Sequence, residues 1–250
     1  MNTHIIEAEN LTYSYPDGTR GIREVSFKVA PGESVALVGE NGAGKSTLLQ
    51  HLNGCLLPAS GSVRVAGLAV AKENLPAVRR AAGMIFQNPD DQLFMPTVFD
   101  DVAFGLLNLG VVDAELEDRV MKALATVGAA HLRARQPYRL SQGEKRAAAI
   151  ASVLALEPDV LVMDEPTSNL DPLARRRLIR LLKTFGHAKI IATHDLDFAL
   201  ELCGRTIVLH DGGVAAYGPT VEVFRQSDLL ERCNLETPPS MKRCPACGAG

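Results

Sequence analysis

The chain has 250 residues, 46% of them hydrophobic and 22% charged, which suffices for one large α/β domain or for a core with one inserted subdomain. Its net charge of −3 argues against a general nucleic-acid-binding protein, so no nucleic-acid partner is expected. The longest apolar stretch, 147–156, is about half of the roughly twenty residues that a membrane-spanning helix needs, so a soluble chain is expected. The start of the chain runs directly into a strand-like segment, and the five cysteines are scattered, which predicts a cytoplasmic protein without a signal peptide or a disulfide framework.

Residues 5–15 and 22–30 have the pattern of two β-strands joined by a turn at 16–18. Tyr15 comes directly before this turn. Its ring can stack on an adenine, or it can simply pack on a neighbour at the edge of the sheet. A second turn then leads into the apolar run 35–38, which predicts a buried strand.

A glycine-spaced loop at 39–46 follows that strand and precedes a helix-forming run at 48–52. It fits the pattern G-x-x-x-x-G-K-[ST] of the phosphate-binding P-loop. Because Gly39, Gly42 and Gly44 have no Cβ, the backbone can curl tightly and turn its N–H groups toward an anion. Lys45 adds a positive charge for the β- and γ-phosphates, and Ser46 supplies a hydroxyl for Mg²⁺. The complete motif in its strand–loop–helix context predicts a nucleotide site rather than a chance glycine turn.

The next segments predict a strand at 63–67, a short basic helix at 75–80, and a buried strand at 84–86 that ends at Gln87. A neutral amide at a strand end can coordinate Mg²⁺ and orient water. Taken alone, however, Gln87 is also an ordinary polar residue at the end of a strand.

From 91 to about 156, apolar residues recur at helical spacing, which predicts a helical insertion between strands of the core. The insertion ends in a helix headed by Ser141 and Glu144, which have the S-x-x-E spacing of a capping box. This segment is therefore either a helix cap alone or a helix N-terminus that faces a second phosphate.

Acidic residues follow the uninterrupted apolar run 160–163, which predicts a strand buried on both faces. Ligands of open α/β sheets collect at this carboxyl edge, where Asp164 can join a Mg²⁺ shell and Glu165 can polarise a water. The alternative is a pair of surface acids at a strand–loop boundary. The next apolar strand, 190–193, ends at His194, which can bond a γ-phosphate or serve as a packed or capping histidine.

The remaining segments predict helices at 172–183 and 196–202 and a hairpin formed by 205–209 and 214–217. From about residue 235 the chain resembles a linker and then presents a C-x-x-C pair, Cys244 and Cys247. These thiols are half of a Zn²⁺ site, which needs two more ligands; Cys233 can contribute one, as can a second subunit. An unstructured tail without metal is the alternative.

Taken together, these motifs resemble the nucleotide-binding subunit of an ABC transporter over roughly residues 5–235. The motifs stand in the family's order: the loop at 39–46, Gln87, the signature-like 140–144, Asp164 with Glu165, the loop at 168–171 and His194. Segments 86–94 and 101–105 further resemble energy-coupling-factor importers, particularly their cobalt/nickel-type ATPases. The resemblance implies an α/β fold: a P-loop NTPase (RecA-like) core with an antiparallel β subdomain and an inserted α-helical subdomain over about 91–156. The ATPase domain would occupy 1–235 and the cysteine tail 236–250.

The resemblance also implies ATP and Mg²⁺ as cofactors and assigns the site residues. Nucleotide would contact Tyr15, Gly39, Asn41, Gly42, Ala43, Gly44, Lys45, Ser46, Thr47 and Gln87. Mg²⁺ would be held by Ser46, Gln87 and Asp164, and the catalytic residues would be Lys45, Glu165 as general base and His194 on the γ-phosphate. Because Tyr15 matches the adenine-stacking position, the resemblance favours stacking over edge packing.

The implied partners are a second ATPase subunit, identical or paralogous, and transmembrane transport subunits at the cytoplasmic face of the cell membrane, where this chain would bind peripherally. In the head-to-tail dimer the signature residues Ser141, Gln142, Gly143 and Glu144 would act on the partner's nucleotide, and Asp171 would belong to the D-loop. The family's usual signature is Leu-Ser-Gly-Gly-Gln, so Gln142 and Glu144 are departures. Since a carboxylate close to a triphosphate is repulsive, Glu144 is expected to point toward the helix cap.

Two other classes of function are compatible with parts of the sequence. A soluble ABC ATPase of DNA repair or translation usually carries a coiled-coil insertion or two cassettes in one chain, and neither is present here. A metal-sensing regulatory ATPase is suggested by the cysteine tail alone. Co-purification with an integral-membrane protein would separate these classes from a transporter subunit.

Overall fold

The strands form two sheets within residues 4–242, the part of the chain that this computed structural model describes. The strands are β1 (Ile6–Ser14), β2 (Arg20–Val29), β3 (Ser34–Val38), β4 (Ser60–Val65), β5 (Leu68–Ala69), β6 (Ala82–Ile85), β7 (Val160–Asp164), β8 (Ala188–Ala192), β9 (Arg205–His210) and β10 (Gly213–Pro219). The α-helices are α1 (Lys45–Leu52), α2 (Leu75–Ala81), α3 (Val98–Asn108), α4 (Asp113–Thr126), α5 (Gln142–Leu154), α6 (Pro172–Thr184), α7 (Leu196–Leu202), α8 (Thr220–Phe224) and α9 (Ser227–Arg232).

The larger sheet has the strand order β10-β9-β3-β8-β7-β6 and positions the candidate site. Its neighbours from β9 to β6 are parallel, and β10 adds an antiparallel edge. Every residue of β7 and β8 is buried, as expected for strands covered on both faces. Because parallel strands end at a common edge, the residues that follow β3, β7 and β8 lie next to one another.

The smaller sheet has the order β2-β1-β4-β5 and is antiparallel throughout. Its inward residues include Ile6, Leu11 and Phe27, which share one hydrophobic cluster with α1 and with one face of the larger sheet. This packing brings the end of β1, with Tyr15 directly after it, against α1: the Tyr15 hydroxyl lies 2.9 Å from Thr47 Oγ1.

Helices α3, α4 and α5 enclose a hydrophobic cluster of their own, with Val102, Leu106 and Leu124 at its centre. Helix α5 also contributes Ile150 and Val153 to the cluster on the second face of the larger sheet. It therefore joins the helical layer to the sheet. Its N-terminus has the predicted capping box, which is confirmed by both reciprocal hydrogen bonds between Ser141 and Glu144.

Several predicted boundaries were wrong by a few residues. Strand β4 ends at Val65 because Ala66 and Gly67 take positive φ values of 50° and 79° and form the turn into β5. Strand β6 ends before Phe86, whose carbonyl instead accepts a side-chain hydrogen bond. The short elements β5, α8 and α9 were not predicted, because so few residues display no readable periodicity. No helix within 4–242 is both long enough and apolar enough to cross a membrane.

Candidate functional site

A cleft of about 590 Å³ lies at the carboxyl edge of the larger sheet. It collects most of the residues predicted for the nucleotide site, namely Tyr15, Asn41, Gly42, Gly44, Lys45, Ser46, Thr47, Gln87, Asp164, Glu165 and His194. These residues come from the end of β7, from the segments that follow β1, β3, β6, β7 and β8, and from the first turn of α1. The fold thus brings together side chains that are up to about 180 residues apart in sequence.

The loop at 39–46 leaves the N-terminus of α1 open to this cleft. Gly44 is the N-cap in a left-handed conformation, φ 99°, and α1 has neither a side-chain cap nor an acidic residue in its first turn. A Cβ on Gly44 would lie 2.4 Å from the carbonyl oxygen of Gly21, so only glycine fits. The first-turn N–H groups therefore lack a side-chain acceptor, which is the arrangement that suits an anion.

Lys45 places a buried positive charge beside these N–H groups. The residue is 9% exposed, and its Nζ donates to the carbonyls of Gly39 at 2.7 Å and of Glu40 at 3.0 Å. Burial lowers the pKa of Lys45, while Glu165 and Asp164 oppose that change. A bound anion would supply the strong acceptor that two neutral carbonyls only partly replace.

Glu165 and His194 form the second charged feature of the cleft. Glu165 Oε2 accepts a hydrogen bond from the His194 backbone N–H at 3.2 Å and lies 2.8 Å from its Nδ1. Burial raises the pKa of Glu165, and the neighbouring His194 and Lys45 oppose this shift. Glu165 is 7% exposed, whereas the His194 side chain is 69% exposed and reaches into the open part of the cleft. Asp164, 8% exposed, lies directly before Glu165 at the end of β7.

Tyr15 packs on a neighbour and also borders the cleft, so stacking on an adenine stays a prediction. Its ring meets Tyr13 edge-on, with centroids 5.2 Å apart, and it also lines the cleft. Gly39 and Ala43 do not line the cleft. Gly39 offers its carbonyl to Lys45, and Ala43 is 2% exposed with its N–H donated to the Glu40 carbonyl, so both residues serve the loop itself.

The predicted signature residues lie elsewhere. Ser141, Gln142, Gly143, Glu144 and Asp171 line a second cleft, of about 730 Å³, formed by residues of α4, α5 and α6 and the loops around them. The Glu144 carboxylate bonds the N–H and hydroxyl of Ser141, at 2.8 and 2.7 Å, and these bonds lower the pKa of Glu144. The expectation that Glu144 turns to the cap is confirmed. Asp171 caps α6 by accepting from the N–H groups of Leu173 and Ala174.

Sequence reasoning missed Thr19, Arg20 and Gly21, which also line the first cleft. Thr19 precedes β2, and Arg20 and Gly21 are its first two residues. The sequence does show a hydroxyl, on Thr19, and a guanidinium, on Arg20, close to Tyr15. Such groups are common at strand ends, so without the fold they do not indicate a binding site.

The predicted zinc ligands Cys244 and Cys247 lie outside the described residues. The further ligand suggested for them, Cys233, is not supported by its surroundings. Its side chain is 2% exposed and belongs to a hydrophobic cluster. Burial raises the pKa of the Cys233 thiol, which disfavours the thiolate that zinc binds.

A P-loop and acidic strand ends at the carboxyl edge of a mainly parallel sheet define the class of P-loop NTPases. A family profile described as ABC transporter matches residues 22–168, which is more than half of the chain. A putative ABC transporter ATP-binding protein of Geobacter sulfurreducens is 59% identical over 99% of this chain and 100% of its own length. The chain therefore belongs to the ABC transporter family and is one of its ATPases.

Other comparisons agree on the family and the fold. The energy-coupling factor transporter ATP-binding protein EcfA of Methanothermobacter thermautotrophicus is 46% identical over 94% of this chain and 77% of its own length. The solved structure of cbiO1 from Clostridium perfringens, part of the ABC transporter complex cbiONQ, matches with a TM-score of 0.82 and 37% identity over 93% of this chain and 95% of that chain. A dimeric ATP-binding cassette in a post-hydrolysis state, bound to ADP and Pi, matches with a TM-score of 0.77 and 26% identity over 86% of this chain and 98% of that chain.

The raised pKa of Glu165 has a consequence for stability. Its pKa is higher in the folded than in the unfolded chain, so folding disfavours the ionised form, and the cost is present above the folded pKa and absent below the unfolded one. Glu165→Gln removes this cost and should raise the Tm of nucleotide-free protein by a few degrees at about pH 8. The difference should vanish toward about pH 3, where Glu165 is protonated in both the folded and the unfolded chain.

Thermal unfolding across this pH range measures the effect. Glu24→Gln, at an exposed position of β2, is the matched control and should leave Tm unchanged at every pH. A Glu165→Gln protein with a lower Tm than the parent at about pH 8 would show that the hydrogen bonds between Glu165 and His194 outweigh the cost of burial.

Proposed function

We propose that this chain is the ATP-hydrolysing subunit of an energy-coupling-factor type membrane importer whose cargo is cobalt or nickel ions. The observation that carries the proposal is the convergence of the P-loop, Lys45, the acidic pair at the end of β7 and His194 on one cleft. The subfamily is supported by the relative named EcfA and by the likeness to cbiO1. Metal-ion cargo is an extension from cbiO1's membership of the cbiONQ complex.

In this proposal the P-loop amides and Lys45 bind the phosphates, and Tyr15 stacks on the adenine. Lys45 exchanges its two carbonyl partners for phosphate oxygens. Ser46, Asp164 and Gln87 offer a hydroxyl, a carboxylate and an amide oxygen to Mg²⁺, and all three are the hard oxygen ligands that this ion prefers. The bound ion would neutralise phosphate charge during hydrolysis.

Hydrolysis needs a base for the attacking water, and Glu165 fits this role. Burial raises the pKa of Glu165, which makes the ionised carboxylate a better proton acceptor than an exposed one. His194 lies with Nδ1 at 2.8 Å from that carboxylate, which leaves Nε2 for the γ-phosphate. Glu165 thus also orients His194.

A second copy or a paralogous ATPase subunit completes the site. Ser141 and Gly143 line a different cleft from the P-loop of their own chain, so they are available to a nucleotide bound by a partner. The likeness to a dimeric cassette holding ADP and Pi supports this head-to-tail arrangement. Asp171 lines the same second cleft and would lie in the subunit interface.

Transport requires membrane-embedded partners, and an aromatic patch offers a place for them at the cytoplasmic face. The patch consists of Phe94 and Phe104, which are 63% and 41% exposed and whose rings meet edge-on with centroids 5.0 Å apart. The preceding Leu93 is 6% exposed and belongs to the hydrophobic cluster of the helical layer. The Asp101 carboxylate accepts from the N–H groups of Phe94 and Met95, at 2.9 and 3.0 Å, and so fixes the backbone that presents this patch. An amphipathic segment of a transmembrane subunit fits such a surface.

The catalytic roles predict distinct defects for two substitutions. Glu165→Gln should lower kcat by roughly 10²–10⁴-fold while ATP still binds, because the base is lost and the phosphate cradle is intact. Lys45→Ala should weaken ATP binding at least about tenfold, because charge-assisted bonds to phosphate are lost. Turnover and ATP affinity are measured separately on purified protein. Near-parental turnover by Glu165→Gln would remove the general-base assignment.

The trans role of Ser141 predicts that Ser141→Arg leaves ATP affinity of dilute monomer unchanged but abolishes ATP-dependent dimerisation. The added bulk would lie at the partner's γ-phosphate and not at its own. Size analysis of Glu165→Gln protein, with and without Ser141→Arg, reads the dimer. Since the change also removes a cap that is worth about 1 kcal/mol, Ser141→Ala is the comparison, because it loses the hydroxyl and its cap without adding bulk. Loss of ATP binding by the Ser141→Arg monomer would place Ser141 in its own chain's site.

The docking role predicts that Phe94→Glu or Met95→Glu prevents assembly with the transmembrane subunits without lowering soluble ATPase activity. A charge on this patch would have to be desolvated in the complex. Val221→Glu, at a position 45% exposed on α8, is the matched control and should assemble normally. Co-purification of membrane complexes with each variant gives the answer; normal assembly of the Phe94 and Met95 variants would mean that the partner docks elsewhere.

A further inference from the structure

A buried arginine connects the two clefts. Arg146 lies on α5, one turn beyond the N-cap Ser141, and is 2% exposed. Its Nη1 donates to the carbonyl of Phe86 and its Nη2 to the carbonyl of Gln87, both at 2.6 Å. The helix that carries Ser141 at its N-terminus is therefore hydrogen-bonded to the backbone at Gln87, and Gln87 lines the P-loop cleft.

These two carbonyls are the acceptors on which this guanidinium depends. Among the residues within 4–242, Arg146 has no carboxylate ion-pair partner, and its Nε has no hydrogen-bond partner. Burial lowers the pKa of Arg146 to about 10. Separating Phe86 and Gln87 from α5 would leave a buried cation without its acceptors, and such a state is strongly unfavourable.

Three further hydrogen bonds, made by Gln92 and Lys145, hold the same segment, residues 86–92, along α5. Gln92 Nε2 donates to the Ala149 carbonyl at 2.9 Å and to Ser152 Oγ at 3.1 Å, while Gln92 Oε1 accepts the Phe86 N–H. Lys145 Nζ donates to Asp90 Oδ1 at 2.6 Å. Residues 145, 149 and 152 have the spacing of one helix face, so the segment lies along two turns of α5.

We infer that Arg146 is a positioning residue that makes the 86–92 segment and the N-terminus of α5 move as one body. When Mg-nucleotide engages the Gln87 side chain, α5 must follow, and the orientation in which Ser141 meets a partner's nucleotide is set accordingly. This inference rests on the proposed function, because it gives that function a route from the Mg²⁺ end of one site to the signature of the other. Arg146 contacts backbone and not substrate, so its effect appears in the response to nucleotide.

The test compares Arg146→Met with Arg119→Met in full-length Glu165→Gln protein. Arg119 is a matched control, since it is a half-buried arginine of the neighbouring α4 whose Nη2 also donates to a backbone carbonyl, that of Ala155, at 2.9 Å. Mg-ATP affinity of dilute monomer and Mg-ATP-dependent dimerisation are both measured. Arg146→Met should leave monomer affinity unchanged and weaken dimerisation by roughly 5–150-fold, the usual range for a coupling between sites. Arg119→Met should change neither.

Arg146→Lys adds a readout that a merely structural role would not move. Lysine fills the cavity about as well as methionine does and also keeps the charge, but it lacks the fork that reaches two carbonyls at once. Dimerisation of Arg146→Lys should therefore lie between that of Arg146→Met and that of the parent. Hydrogen exchange in dilute monomer follows the coupling directly. Mg-ATP should slow exchange at 86–92 and at the start of α5 together in the parent, and at 86–92 alone in Arg146→Met.

The outcomes separate this inference from the function on which it rests. Parental dimerisation by folded Arg146→Met, or equal losses in Arg146→Met and Arg119→Met, would overturn the coupling role. A Glu165→Gln parent that neither binds ATP nor dimerises would overturn the proposed function, and the inference with it. If Arg146→Met does not fold, Gln92→Leu cuts the second tie to α5 and must produce the same selective loss of dimerisation for the inference to stand.

Discussion

The burial of ionisable groups at the carboxyl edge of the larger sheet is the constraint on which the site depends. Lys45 and Glu165 are both less than one-tenth exposed. Burial lowers the pKa of Lys45 and raises the pKa of Glu165, so it favours the neutral form of each. Neither charge is fully compensated by the protein. Lys45 donates to neutral carbonyls, and Glu165 is hydrogen-bonded to a histidine whose side chain is mostly exposed. A triphosphate with its divalent cation would supply the missing charges of both signs. The affinity of the cleft for such a ligand and its cost to the free fold therefore have one physical origin.

The rest of the fold tolerates this cost because the strands beneath the cleft are almost entirely apolar. All residues of β7 are buried, and they contribute to clusters on both faces of the sheet. Such strands hold the backbone of Asp164 and Glu165 in a fixed position at the edge of the sheet. Glu165 itself takes a positive φ of 44°, which a less constrained loop would relax. The antiparallel sheet adds the wall that carries Tyr15, and α5 adds the connection to the helical layer.

Local chemistry explains which features were predictable from sequence. The P-loop is a contiguous motif whose glycines report the backbone directly, and apolar runs that end in Asp164 or His194 reveal strand ends in a parallel sheet. Contacts made by single side chains to distant backbone were not predictable. Lys189 interrupts the pattern of β8, and the strand was predicted from residue 190 onward; the structure includes it, because Nζ donates to the carbonyls of Phe185 and His187 at 2.7 and 2.8 Å. Arg146 is the same case, a charge whose partners are carbonyls about sixty residues away.

The departures from the usual signature follow from the same logic of satisfied charge. Glu144 stands where a neutral glutamine is usual, yet its carboxylate is occupied by the N–H and hydroxyl of Ser141. That reciprocal cap stabilises the start of α5 and holds the Glu144 charge against its own helix N-terminus, where the macrodipole favours it. A cap that engages the Ser141 hydroxyl also competes with any phosphate for that hydroxyl. In the proposed head-to-tail dimer, closure on ATP would exchange the Ser141–Glu144 hydrogen bond for one to phosphate, so the strength of this cap would help to determine how tightly the two subunits close.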